Sequence, residues 1–375
     1  MKPTIIIDDK IPFIKGVFDE LANVKYINGT KISANDVRNA DALIIRTRTH
    51  CDESLLKGSS VKCIATATIG FDHIDKDYCK KNNIAWSNVP GCNASSVEQY
   101  IAAALMYLQK EKNVDVQSKT IGIVGVGSVG KREEKFCKTI GMKVLLNDPP
   151  RKRIEKEKIF VSLNEIAEKC DIITFHTPLY MTGEDKTFHL ADEAFFSKLK
   201  KRPYIFNAAR GEVTDTLAMK SAKKNNVISG LVIDCWENEP NIDAELLKMT
   251  DISTAHIAGY SADGKGNATI ASVQYISRFF HLGIDNWTIK NIPLPENRII
   301  QIDSADEKEI LSTAILATYH IQKDDFDLKN HPYDFELVRG NYPLRREFSS
   351  YFVSCKNANA QTINILKNLG FQIKD

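Results

Sequence analysis

The stretch Thr120-Ile-Gly-Ile-Val-Gly-Val-Gly-Ser-Val-Gly130 decides the fold. Residues 121–124 form a short apolar run, and Gly125, Gly127 and Gly130 complete G-x-G-x-x-G. The pattern predicts a buried strand, a tight turn, and a helix opening near Ser128 and Val129. Gly125 permits the turn, Gly127 lets a pyrophosphate approach main-chain N–H groups, and Gly130 lets the helix pack on the strand. The helix N-terminus then meets the anion with free N–H donors and the positive end of its dipole. A second strand over residues 143–146 leads to Asp148, about 20 residues beyond the glycines, where a carboxylate can accept both hydroxyls of an adenosine ribose. Glycine spacing alone is weak evidence. With the strand before it, the helix after it and the acid beyond it, the expected cofactor is NAD. Arg151 and Arg153 lie close by in sequence and are the cations that would suit the 2′-phosphate of NADP.

The bulk properties narrow the class. A chain of 375 residues is long enough for two or three domains. A net charge of +2 gives no electrostatic footprint for nucleic acid or a membrane surface. No apolar run is long enough to span a bilayer, and there is no N-terminal signal pattern. The 8 cysteines are scattered without a C-x-x-C, which reads as reduced thiols in a cytoplasmic protein. The 8 histidines show no ligand spacing, so no metal site is expected.

Outward from the fingerprint, strands alternate with helices in both directions, the pattern of parallel sheets. Upstream, strands are expected at residues 4–7, 42–46, 62–67 and 84–86, with helices around 13–21 and 74–82. An apolar helix over 97–108 carries the chain into the nucleotide-binding part. Downstream, strands at 143–146, 172–175, 204–207, 231–234 and 252–254 are enough for a six-stranded doubly wound sheet with the fingerprint strand. A long helix over 263–282 follows, and Pro293-Leu-Pro295 marks a boundary. The tail reads as a small α+β module, with strands at 298–302 and 351–354 and helices at 307–320 and 358–369. The fold class is therefore α/β: two doubly wound parallel-sheet domains, one Rossmann-type and one flavodoxin-like, plus the tail. The expected domains are 1–94 for substrate, with a return helix near 263–285; 95–262 for NAD; and 290–375 for dimerisation.

Ligands of open α/β sheets bind beyond the carboxyl ends of strands. Three such ends carry chemistry: Asn207-Ala-Ala-Arg210, Asp234-Cys-Trp-Glu-Asn-Glu239, and Thr254-Ala-His256. Arg210 can grip a carboxylate through two parallel hydrogen bonds. His256 can take a hydroxyl proton as hydride leaves, and Glu239 behind it can fix its tautomer. The set suits oxidation of an alcohol beside a carboxylate. Each residue alone has a plainer role, as a surface ion pair, a turn or a core histidine; the three together do not.

These motifs resemble the D-isomer-specific 2-hydroxyacid dehydrogenase family. The segments that carry the resemblance are the glycine fingerprint, Phe175-His-Thr-Pro178, Ala209-Arg-Gly211, Asp234 through Pro240 and His256-Ile-Ala-Gly259. Further likeness lies in Ala65-Thr-Ala-Thr-Ile-Gly-Phe-Asp-His73, Asn147-Asp-Pro-Pro-Arg151 and the tail segment Asn341-Tyr-Pro-Leu-Arg-Arg-Glu347. The resemblance implies that Arg210, Glu239 and His256 are catalytic. It places Asp148, Thr177, Asp234 and Gly259 at NAD, and Thr47, Thr68 and Tyr260 at a phosphorylated 2-hydroxy acid. At Ala208 a cofactor contact has to be main-chain. Thr47 keeps a hydroxyl where the family often has Ser. A substrate phosphate needs further cations. Arg46 is the candidate beside Thr47; Arg345 and Arg346 read as surface residues, unless a homodimer through the tail brings one to a partner's cleft. Two rivals stay open: a phosphoglycerate dehydrogenase with a regulatory tail, and an NADH-sensing corepressor.

Overall fold

A computed structural model of the chain describes residues 2–343 and 345–374. Met1, Leu344 and Asp375, which fall in the expected domains 1–94 and 290–375, lie outside the described residues. The chain forms two compact units, Met1–Asn93 with Ser261–Pro293, and Ala94–Tyr260 with Leu294–Asp375.

The first unit is built on β1 (Thr4–Asp8), β2 (Asn23–Ile27), β3 (Ala42–Ile45), β4 (Cys63–Thr66) and β5 (Ala85–Ser87), all parallel, in the order β2-β1-β3-β4-β5. That is the flavodoxin-like order. The inner strands are nearly continuous apolar runs because both faces are covered. Ile6, Leu43 and Ile64 pack on one side, and Ile5, Ile44 and Ala65 on the other. The helix Ala262–Phe280 closes the second face through Val273 and Ile276. Its cap is Ser261, whose hydroxyl accepts from the Gly264 N–H at 2.8 Å.

Two expectations fail in this unit. Residues 13–21 form turns, because Phe13 (φ 63°) and Gly16 (φ 82°) are left-handed and interrupt any helix, while Ile14 and Phe18 still reach the core. The edge strand β2 was not expected from the sequence. Its residues alternate between exposed (Asn23, Lys25) and half-buried, so they lack the apolar run of the central strands.

The second unit carries a six-stranded parallel sheet: β6 (Thr120–Val124), β7 (Lys143–Asn147), β8 (Ile172–Phe175), β9 (Tyr204–Asn207), β10 (Gly230–Ile233) and β11 (Ile252–Ser253), in the order β11-β10-β9-β8-β6-β7. Strand order reverses between β6 and β8, which sets a crevice at their carboxyl ends. A single bridge from Leu146 to Phe160 extends the sheet beyond β7.

The tail adds a parallel sheet of β12 (Ile299–Ile302), β13 (Phe352–Cys355) and β14 (Gln372–Ile373). It does not stand apart from the Rossmann sheet. Leu105 of the helix Ala94–Glu111 shares one core with Leu311, Ile315 and Leu366 of the tail. Buried Gln99 donates to Thr318 Oγ1 at 3.0 Å and to the Arg346 carbonyl at 2.9 Å. Two tail helices, Ile321–Asn330 and Phe335–Gly340, add to those expected. Among the described residues, no helix is long and apolar enough to cross a membrane.

Candidate active site

The glycine turn has the expected build. Gly125 has φ +89°, and a Cβ there would strike the His176 carbonyl at 2.8 Å. A Cβ on Gly130 would collide with the Gly125 carbonyl, so helix and turn meet backbone to backbone. Beyond Gly127 there is open space, the room a bound pyrophosphate needs. Ser128 and Val129 begin the helix Ser128–Thr139. Thr177, past the end of β8, has a buried Oγ1 with no hydrogen-bond partner among the described residues. An open cradle and an unpartnered hydroxyl beside it fit a bound dinucleotide.

Asp148 directly follows β7 and caps the helix Pro149–Glu155. Its Oδ2 accepts the Val126 N–H at 2.8 Å and its Oδ1 the Arg151 N–H at 3.0 Å. The carboxylate is thereby fixed against the glycine turn, with lone pairs left for a diol. Arg151 gives Nε and Nη2 to the two oxygens of Glu155, each at 2.7 Å, and Nη1 to the Val126 carbonyl at 2.7 Å. Arg153 is held by Asp185 at 2.6 Å. Both cations that would suit a 2′-phosphate are already matched by carboxylates.

The three strand-end loops come together through tight backbone contact. Asn207 fixes the first, accepting the Ala209 N–H at 3.1 Å and donating to the Arg210 carbonyl at 2.9 Å. Ala208 presents main chain there. A Cβ on Gly211 would overlap the Trp236 carbonyl, so the Arg210 loop lies directly against the 235–239 loop.

Glu239 accepts the Trp236 N–H at 2.9 Å and faces His256, whose Nδ1 lies 2.8 Å from Oε2 and 3.1 Å from Oε1. Burial alone pushes the Glu239 pKa up. The His256 bond and charge, the Trp236 N–H and the Arg339 guanidinium outweigh it and leave the pKa lowered. A charged Glu239 holds a proton on Nδ1, which leaves the Nε2 lone pair for chemistry. His256 itself sits at φ +54°, and its N–H donates to the Asp234 carbonyl at 2.8 Å. Cys235, Glu239 and His256 also offer ligand atoms within 4.8 Å of one another, a proximity their sequence spacing does not reveal. Burial pushes the Cys235 thiol well above its ordinary pKa, and His256 Nδ1 is committed to Glu239.

The histidine loop is pinned from both sides. Asp234, fully buried, accepts the Thr254 hydroxyl at 2.6 Å, the Ile257 N–H at 2.7 Å and the Ala258 N–H at 3.0 Å. Arg345 approaches from the tail and donates to the carbonyls of Ala258 (2.5 Å) and Ile257 (3.3 Å). Its guanidinium lies 4.2 Å from the Tyr319 ring centroid. Arg345 and Arg346 are therefore not surface residues. They are 5% and 8% exposed, and Arg345 is buried because it satisfies carbonyls that the loop itself leaves open. Tyr260, following Gly259, packs edge-on against Tyr342 at 6.2 Å. Arg339 stands 5.6 Å from the centroid of the Tyr260 ring. Sequence reasoning missed Arg339 and the role of Arg345, since neither lies in a strand-end motif.

In the first unit Thr47 is exposed just past β3. Thr68 follows β4 and donates to the Gly70 carbonyl at 2.9 Å. Arg46 is bound to the buried carboxylate of Asp8, Nε at 2.9 Å and Nη2 at 3.4 Å, so much of its charge is already offset.

This arrangement, a dinucleotide turn with an arginine and a carboxylate-backed histidine at neighbouring strand ends, is that of a 2-hydroxyacid oxidoreductase. Residues 94–258 match the D-isomer specific 2-hydroxyacid dehydrogenase, NAD binding domain, and residues 292–370 match a domain of unknown function, DUF3410. The chain belongs to the D-isomer specific 2-hydroxyacid dehydrogenase family, and NAD is its cofactor. It is 50% identical over 348 residues to the erythronate-4-phosphate dehydrogenase of Bacteroides fragilis, spanning 92% of this chain and 98% of that protein. It is 37% identical over 374 residues to the protein of the same name from Escherichia coli, spanning 98% and 97%. Among solved structures, the D-lactate dehydrogenase of Aquifex aeolicus, complexed with NAD and lactic acid, superposes with a TM-score of 0.63 at 26% identity, covering 76% of this chain and 96% of that one.

Proposed function

We propose that the protein oxidises 4-phospho-D-erythronate at C2, giving 3-hydroxy-2-oxo-4-phosphooxybutanoate in the biosynthesis of pyridoxal 5′-phosphate. The observation that carries this reading is the length of the likeness: relatives with that activity in their name match through the tail as well as the Rossmann core. When bound, NAD supplies the hydride acceptor. Arg210 grips the substrate carboxylate with its planar fork. His256 Nε2 takes the C2 hydroxyl proton as the carbonyl forms. Glu239 keeps the proton on Nδ1 and stabilises the imidazolium that results. Gly125, Gly127, Ser128, Val129 and Gly130 hold the pyrophosphate, and Asp148 the adenosine ribose. Thr177, main chain at Ala208, and Gly259 complete the cofactor contacts. Asp234 serves the cofactor by shaping the loop that carries His256 and Gly259. Thr47, Thr68 and Tyr260 contact substrate, and Arg46 adds positive charge near it.

The same reading makes residues 290–375 a homodimerisation module of a cytoplasmic enzyme. The test is NADH formation by purified protein with 4-phospho-D-erythronate, compared with 3-phosphoglycerate. Strong preference for the first is expected. Preference for 3-phosphoglycerate, or no turnover of either, overturns the reading.

A further inference from the structure

Among the described residues, one set of three histidine, cysteine or acidic side chains brings its ligand atoms within 4.8 Å of one another: Cys235, Glu239 and His256. Thiolate sulfur, carboxylate oxygen and imidazole nitrogen are the donors zinc takes. His256 and Glu239 already have roles as base and support. The Cys235 thiol has none. It is 2% exposed and makes only long contacts, 3.5 Å to the Ala209 carbonyl and 3.8 Å to the Asp234 carboxylate. The His256 and Glu239 side chains are 26% and 19% exposed, which gives an ion a way in.

The spacing lies within small side-chain movements of a metal site. Zinc bonds of about 2.0–2.3 Å in a tetrahedron put neighbouring ligand atoms about 3.3–3.6 Å apart. Glu239 Oε2 and His256 Nδ1 are 2.8 Å apart, so an ion in place of the proton between them needs that pair to open by about half an ångström. The sulfur, within 4.8 Å of both, needs to close by at most about an ångström, on a single side-chain torsion. Charge favours the complex. A dication with one thiolate, one carboxylate and one neutral imidazole is neutral overall, whereas a lone thiolate beside Asp234 and Glu239 is penalised by burial and repulsion. A metal ion removes the thiol proton outright.

We propose that Cys235, Glu239 and His256 form an inhibitory site for a thiophilic divalent metal ion, of which zinc is the type. On binding, the Cys235 thiol releases its proton to solvent, and Glu239 stays ionised as a ligand. The imidazole, bound through Nδ1, carries its one proton on Nε2. No lone pair then remains on Nε2 to accept the hydroxyl proton of the substrate. Metal binding rests on the three ligands alone; the loss of turnover rests on the role given to His256 above.

The test uses full-length wild type, Cys235→Ser and Cys235→Val. NAD binding, followed by fluorescence, reports the fold of each; Ser keeps the polar contacts and Val the packing, so one remains if the other does not fold. One equivalent of Co2+ should give wild type the near-ultraviolet absorption of a thiolate–cobalt bond, displaced by Zn2+ and missing from both variants. NADH formation from 4-phospho-D-erythronate is then followed at free Zn2+ fixed by a chelating buffer. Zinc should inhibit wild type reversibly. The variants, with metal-free turnover close to wild type, should need at least about tenfold more zinc, since losing a ligand costs no less than losing its hydrogen-bond partner. Mg2+, which prefers oxygen ligands, should not inhibit. No thiolate–cobalt absorption in wild type, or equal zinc sensitivity in all three proteins, would overturn the site. Unchanged turnover with the ion bound would overturn the inhibition. A wild type inactive without metal would instead overturn the substrate reading, and the cobalt spectrum would still decide the site.

Discussion

Glu239 and Glu133 are both carboxylates drawn out of solvent in the Rossmann unit, one past the end of β10 and the other on the helix Ser128–Thr139. Glu239 has the Trp236 N–H, the His256 ring and the field of Arg339 around it. Glu133 is completely buried and neither of its oxygens has a hydrogen-bond partner among the described residues. Burial pushes both pKa values up. At Glu239 the partners reverse the effect; at Glu133 nothing does, neighbouring Glu98 adds to it, and the pKa is raised well above normal. Glu98 itself is pushed to about 7, by burial first, with Arg132 only partly opposing. Partners, not depth, decide whether a buried acid keeps its charge. One acid keeps its charge beside a histidine; the other is held toward its neutral form in an apolar site.

The largest way to break this contrast is to remove the group Glu239 serves. His256→Ala should lower turnover by about two to four orders of magnitude while leaving NAD binding intact. Near-normal turnover would take His256 out of the mechanism. Next comes the loop clamp. Arg345→Met removes the donors to the Ile257 and Ala258 carbonyls. It should cost about 2–3 kcal/mol in denaturant unfolding, the range for a lost charged hydrogen bond with buried acceptors left open. Turnover should fall with it, because the same loop carries His256. A stable but inactive variant would mean that Arg345 contacts substrate instead.

Glu239→Gln tests the charge itself. With no charged acceptor at Nδ1, turnover should fall by about ten- to a hundredfold while NAD binding is kept. Unchanged turnover would disconnect Glu239 from the base.

The smallest expected effect concerns stability. Glu133→Leu should raise stability by about 1–2 kcal/mol, since it removes an unsatisfied buried polar group. The pH dependence has a definite sign. A raised folded-state pKa contributes stability that is fully present below the ordinary value of 4.5 and is lost as pH rises; for Glu98 that loss runs through about 7. Glu239, with a lowered pKa, behaves oppositely: its contribution is present above 4.5 and is lost toward acid. The Leu variant should therefore gain more at pH 8 than at pH 5, by urea denaturation at each pH. An equal gain at both would show that Glu133 titrates in the folded protein as it does in the unfolded chain.

How much of this was legible in the sequence follows the same physics. β6, β8 and β9 are fully or almost fully buried parallel strands, and their apolar runs announce them. The Asp148, Arg210, Glu239 and His256 positions follow from reading strand ends. The segment 13–21 misled because its apolar spacing mimics a helix, while Phe13 and Gly16 take left-handed conformations. The helices Ile321–Asn330 and Phe335–Gly340 bury only Ile321, Leu328 and Phe335, too few apolar residues to form a stripe. Arg339 was lost with them. The burial of Arg345 depends on a carbonyl 87 residues away in sequence, which no local pattern encodes. Glu133 reads as an ordinary polar helix residue, and only packing shows that it is enclosed.

We propose that His256, backed by Glu239, removes the C2 hydroxyl proton of 4-phospho-D-erythronate as the C2 hydrogen passes as hydride to NAD. The most direct measurement is single-turnover NADH formation with excess enzyme, comparing wild type with His256→Ala. Wild type should give rapid stoichiometric NADH, and the variant a rate slower by about two to four orders of magnitude. Equal rates from the two proteins, or no NADH from wild type, would contradict it.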